Sequence, residues 1–184
     1  MNALLLVLLL AAADQPLKTV ERVDIARYMG NWYEIAKYPN YFQRGCVGAV
    51  ATYTLRDDGE VTVLNTCREK NLSGEIKKAK GIAWLADAGS PSKLYVRFFW
   101  PFKGDYWIID LGLDYEYAVV GEPGRKYLWI LSRSAALPDT VYAGILERLR
   151  EQGYDVDRLE KTPQPDDAPA FPAGGSTAGA PIIR

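Results

Sequence analysis

"GNWYEIAKYP", residues 30–39, is the stretch that decides how this chain reads. A glycine leads into two adjacent aromatics, and a carboxylate, Glu34, follows inside a strand-like run. In a strand, side chains at 32, 34 and 36 share one face. A tryptophan at the start of the strand and a glutamate two residues on therefore point the same way, and the surrounding chain must give both a place.

Working outward, short alternating runs continue. "VGAVATYTL" (47–55) and "EVTVLNTCR" (60–68) flank Asp57-Asp58-Gly59. An Asp-Gly pair between alternating runs predicts a hairpin with a type I′ turn. A calcium loop needs further acids at fixed spacing, and none follow. "KKAKGIAWLA", "KLYVRFFW", "DYWIIDL", "EYAVVG" and "KYLWILSR" complete eight strands, with Gly104-Asp105 and Gly124-Arg125 punctuating two of the gaps. That spacing predicts an antiparallel sandwich or an up-and-down barrel. One segment changes period. In "LPDTVYAGILERLREQG", Val141, Tyr142, Ile145, Leu146 and Leu149 fall on one helical face, with Asp139 as N-cap and Gly153 as stop. The strand-like "YDVDRL" follows.

Composition excludes several functions. The chain has 184 residues, 22 Lys plus Arg against 23 Asp plus Glu, and no histidine. It lacks the basic surplus of a nucleic-acid binder. Without histidine there is no His general base, His metal ligand or His-ligated haem. Without a CxxC pair, zinc and redox chemistry have no framework, so neither metal nor cofactor is expected.

The ends separate from the middle. Residues 1–13, "MNALLLVLLLAAA", have the length of a signal-peptide apolar core rather than a membrane span, with small residues before Asp14. No Lys or Arg precedes that core. A buried N-terminal helix is the alternative, but no polar face accompanies the run. Residues 14–21 read as a lead-in, 22–162 as the domain, and 163–184, rich in Pro, Ala and Gly, as a disordered tail.

Gly30-Asn31-Trp32-Tyr33 resembles the G-x-W-Y signature of the lipocalins. Asp114-Tyr115-Glu116-Tyr117 resembles their second signature, and Arg133 in "LWILSR" their third, all in the family's order. "FQRGC", "FFWPFKGDYWII" and "YLWILSR" look most like the group of the bacterial outer-membrane lipocalin and apolipoprotein D. The resemblance implies an all-β fold: an eight-stranded antiparallel up-and-down β-barrel with one C-terminal α-helix packed outside. It also implies that Trp32 plugs the closed end with Arg133 across its ring, so that these two and Gly30 are structural. Glu34 then lies in the lower barrel, held by interior tyrosines or by a ligand headgroup.

The resemblance implies a small apolar ligand, and a fatty acid or lysophospholipid is expected. Alternation from Arg133 turns Trp129 and Leu131 inward. The resemblance implies that Tyr53 points inside, and alternation then adds Ala49, Ala51 and Leu55 to that wall, with Leu94, Val96 and Phe98 on another. Small Gly81 and Ala83 leave room, and Glu34, Ala36 and Tyr117 complete the lining. The alternative is that these side chains simply fill a core. A lipocalin-fold enzyme needs an acid pair or reactive thiol inside, and only Glu34 and Asp110 offer themselves, so no catalytic set is expected. Phe99, Trp100 and Phe102 form an apolar loop suited to peripheral membrane contact.

The chain is expected to be exported, periplasmic or secreted. "LLLAAADQP" lacks the cysteine on which an acyl anchor is built, and outer-membrane association stays open. Export makes a Cys46–Cys67 disulfide the natural expectation. An unbroken ladder from an Asp57–Glu60 pairing leaves the two about four residues out of register. A bulge at Gly45 or Gly48 would bring them back.

Overall fold

The computed structural model describes residues 15–173. The signal peptide expected at 1–13 and the last part of the tail, 174–184, lie outside the described residues. Strands β1 (Gly30–Lys37), β2 (Cys46–Leu55), β3 (Val61–Glu69), β4 (Ile76–Leu85), β5 (Lys93–Phe99), β6 (Phe102–Leu111), β7 (Tyr117–Gly121) and β8 (Leu128–Ser132) each pair antiparallel with the next. β1 pairs with both β2 and β8, which closes an eight-stranded antiparallel barrel. A short α1 (Ile25–Tyr28) crosses one end, and α2 (Asp139–Glu151) packs on the outer wall.

Strand alternation sorts the apolar side chains into two cores. Trp32, Tyr53, Val63, Ile108, Val120 and Leu131 belong to the cluster inside the barrel. Their strand neighbours Tyr33, Ile109, Val119 and Ile130 point out and meet Ile145 and Leu149 of α2. The helix stops where the sequence predicts: Gly153 takes φ +80°, its N–H donates to the Arg150 carbonyl, and Tyr154 donates back to Leu149. Its start differs. Pro138 occupies the cap position and Asp139 sits in the first turn without a capping bond from its side chain.

Three local expectations change. The β2–β3 turn is not type I′, because of its residues only Gly59 has positive φ, at +81°. Arg56 donates to Glu60 and Gly59 back to Arg56, the pattern of a three-residue loop with a left-handed glycine. Gly104 punctuates nothing: β6 runs through it, and the chain turns at Trp100-Pro101. "YDVDRL" becomes a 3₁₀ turn (Val156–Arg158) leading to β9 (Glu160–Lys161), which pairs with Ala36 and Lys37.

Residues 163–173, expected to be disordered, lie against the barrel instead. Pro163 accepts a bond from Gly48, Gln164 donates to the carbonyls of Glu34 and Ala49, and Phe171 stacks on Tyr33 at 4.6 Å. Composition hides this, because two side chains do the anchoring within a Pro- and Ala-rich background.

The ends of the barrel differ. α1 and the β2–β3, β4–β5 and β6–β7 turns crowd one end; the other is open. On the open side β4 pairs with β5 only over Ile82–Leu85. Its first five residues, Ile76–Lys80, are exposed and bond to β3 alone, leaving a notch in the rim.

Candidate ligand cavity

The floor is built from Trp32 upward. Its indole is fully buried and donates to the Tyr28 carbonyl at 2.9 Å. The Arg133 guanidinium lies 3.6 Å above the ring centroid and donates to the carbonyls of Asn31, Arg27 and Tyr28. Burial pushes its pKa down to about 10, so it remains a cation at neutral pH and the stacking is a cation–π contact. Gly30 enters the strand at φ +93°, a conformation costly for any other residue.

Three tyrosines form the next layer. Tyr106 Oη shares hydrogen bonds with Tyr28 Oη at 2.8 Å and Tyr53 Oη at 2.9 Å. Burial raises all three phenols, Tyr53 to about 12. Around them a void of about 20 Å³ remains, lined by Met29, Tyr53, Val61, Ala83 and Leu94. A single water needs about 10–15 Å³, so the lower barrel has room for about one water and for no lipid chain.

Above this layer the walls are apolar and only half-buried: Ala51, Val96, Phe98 and Trp129 line the interior here. Gly81 leaves no free space, since a Cβ there would stand 2.7 Å from the Arg97 carbonyl and 2.9 Å from the Phe98 ring. Its smallness lets Phe98 lie flat. Asn65, paired with Ala51 across the ladder, carries a buried Oδ1 with no hydrogen-bond partner among the described residues.

Glu34 faces the interior opposite Leu131, but no tyrosine holds it. Its carboxylate accepts from Lys37 Nζ at 2.9 Å, Thr162 Oγ1 at 2.6 Å and Gln43 Nε2 at 2.5 Å. Gln43 Oε1 in turn accepts from Trp129 Nε1 at 2.8 Å. A buried carboxylate requires such partners. The cation reaches it through a bulge. Register shifts between Glu34 and Ala36, so Lys37 pairs with inward Trp129 while Ala36 pairs with outward Ile130.

Two lining residues are corrected, for different reasons. Ala36 lies in the outer core, on the far side of the bulge. Tyr117 also points out, donating to Asp110 and accepting from Arg148 of α2, because its neighbours Ala118 and Val120 take the inner positions. Ala49 falls in the β2 bulge and belongs to neither core. That bulge, between Val47 and Val50, brings Cys46 within a Cα–Cα distance of 5.5 Å of Cys67, and the disulfide is formed. Gly48 makes it possible at φ +58°. Lys37, Gln43, Asn65 and Tyr106 were not foreseen as lining. Alternation back from Ile108 would have found Tyr106, and alternation on from Val63 would have found Asn65; Lys37 depends on a bulge and Gln43 on a loop.

The family model of a lipocalin-like domain matches residues 23–164. The chain belongs to the lipocalins. Temperature-induced lipocalin-1 of Arabidopsis thaliana is 41% identical over 162 residues, covering 83% of this chain and 86% of the relative. Outer membrane lipoprotein Blc of Escherichia coli K12 is 39% identical, with 79% and 82% covered. Apolipoprotein D of Mus musculus is 34% identical, with 78% of each chain covered. Among solved structures, insecticyanin of Manduca sexta superposes with a TM-score of 0.65 at 21% identity, over 84% of this chain and 88% of that one. This last likeness bears on fold alone. Lipocalins bind small hydrophobic ligands.

Proposed function

We propose that this lipocalin carries a single-chain lipid, a fatty acid or a lysophospholipid, with its acyl chain in the upper half of the barrel. The observation that carries this reading is the half-buried apolar wall of Ala51, Val96, Phe98 and Trp129 above a closed floor. The wall has two polar features: the unpartnered Asn65 amide oxygen and the Glu34–Lys37–Gln43 network. A bound chain excludes water from the wall, and the polar groups orient its head. Glu34, fully engaged by three donors, is a poor general base, which favours carriage over catalysis. The Cys46–Cys67 disulfide favours an oxidising compartment and therefore export, and the relatives named as outer membrane lipoproteins agree.

Titration with palmitate and with lysophosphatidylcholine, read by calorimetry, tests the proposal. Micromolar affinity, about 8 kcal/mol, is expected. Ala51→Trp fills the wall and should weaken binding at least tenfold, whereas Arg97→Ala on the outer face should leave it unchanged. An unaltered Ala51→Trp affinity, or no binding of either lipid, overturns the reading.

A further inference from the structure

The two ends of the barrel carry opposite charge and opposite polarity. Tyr41, Phe42, Phe99, Trp100 and Phe102 are each more than two-thirds exposed, and all lie on open-end turns. No aromatic is comparably exposed at the closed end among the described residues. Around this aromatic rim stand Arg44, Lys70, Lys78, Lys80, Lys103 and Lys126, none in an ion pair among the described residues. The acids nearby are largely spent: Glu69 is paired with Lys77, and the Glu122 carboxylate caps its own turn through Gly124 and Tyr127. Glu75 and Asp105 remain, with Asp155, Asp157 and Glu160 on the segment after α2, where Arg158 and Lys161 offset them. The three closed-end hairpin turns instead carry Asp57, Asp58, Glu60, Asp87, Asp114 and Glu116 against Arg56, and α1 with its lead-in adds Glu21 and Asp24 against Arg22 and Arg27, so the closed end stays acidic.

We propose that the open end docks mouth-down on an anionic lipid bilayer, with the aromatic tips in the interface and the cations over the headgroups. This rests on the reading of the barrel as a lipid carrier, for which it supplies the route of loading. Trp and Phe on short tips partition into the interfacial zone, and basic residues beside them are drawn to anionic lipid while acids at the far end are repelled from it. Charge thus sets the orientation. The notch between β4 and β5 opens on the same face, so a chain leaving the bilayer meets the interior without crossing open water.

Sedimentation with vesicles of phosphatidylcholine, with and without phosphatidylglycerol, tests the docking. The full chain should bind the anionic vesicles, shift its tryptophan emission to the blue and dissociate as salt is added. Losing one cation near such a surface costs about fivefold, so Lys78→Glu with Lys80→Glu should cost at least about 25-fold. Trp100→Ser with Phe102→Ser should cost at least tenfold, and Asp57→Lys with Asp58→Lys at the far end should change nothing. All these side chains are exposed, so circular dichroism should report an unaltered fold. No binding to anionic vesicles, equal binding to both compositions, or rim variants that bind like the parent overturns the proposal. Palmitate binding measured in solution on the same proteins separates the two readings: vesicle binding without palmitate binding sinks the carrier alone, and the converse sinks the docking alone.

Discussion

Arg133 gives the tryptophan that opens β1 a reason to be there. The guanidinium caps an indole that is itself bonded to Tyr28, and ties three backbone carbonyls of the closed end together. A cation–π contact contributes about 0.5–2 kcal/mol, and the lost hydrogen bonds add to that. Arg133→Ala should lower unfolding free energy by about 3 kcal/mol, read from urea midpoints. Palmitate affinity of the folded fraction should persist, because the tyrosine layer separates Arg133 from the cavity. Arg133→Lys keeps the charge but not the planar fork, and should fall between. The tyrosines set the alkaline limit. Their folded pKa values lie above the ordinary 10, so the folded state holds these protons more tightly. Their contribution is complete below pH 10 and is lost as pH rises through 10 to 12 and beyond. Arg133, with its pKa lowered to about 10, acts in the opposite direction from there up to the ordinary arginine range, one group against three. Urea midpoints between pH 8 and pH 12 should fall above about pH 10. The phenolate absorbance of these three tyrosines should appear only with unfolding; early titration in the folded protein would refute their burial.

Strands, turns and the helix were legible because alternation, Gly-containing turns and helical spacing are local signals. Parity failed at Ala36, where the chain bulges, and at Tyr117, which unbroken alternation from Ala118 turns outward. Nothing in "YEIAKY" announces the extra residue that turns Ala36 out and Lys37 in, since no glycine marks it and the cause lies in how β1 meets β8 and β9. The β2 bulge did announce itself, through Gly48 beside a cysteine that needed bringing into register. The disulfide closes a loop of 21 residues, and a loop of that size is worth about 3 kcal/mol. Replacing Cys46 and Cys67 by Ser should cost that much in chemical unfolding; a loss under 1 kcal/mol would place the stabilisation elsewhere. The segment after Thr162 makes a separate claim. Ending the chain at Thr162 removes Gln164 from its two carbonyls and Phe171 from Tyr33. The melting temperature should drop by several degrees, whereas an inert tail would leave it unchanged.

For the molecule as a whole, the floor decides what the cavity can hold. Family resemblance conveyed the barrel and its plugged end, but not that three hydroxyls would close off the lower half, which depends on α1 carrying Tyr28 into the interior. Tyr53→Ala should join the small void to the space above, so that palmitate and longer acids gain affinity relative to laurate, at a stability cost of about 3–5 kcal/mol. Unchanged chain-length preference would mean that the tail never reaches the floor. The notch in the rim has another consequence. Among the described residues, no strand pairs with the first five residues of β4 on the β5 side, which leaves the kind of edge that recruits strands from other molecules. Lys77, Lys78 and Lys80 crowd that edge with charge on both faces, which keeps it from templating filaments. A barrel with those lysines exchanged for valines would fold as before and then polymerise, edge to edge.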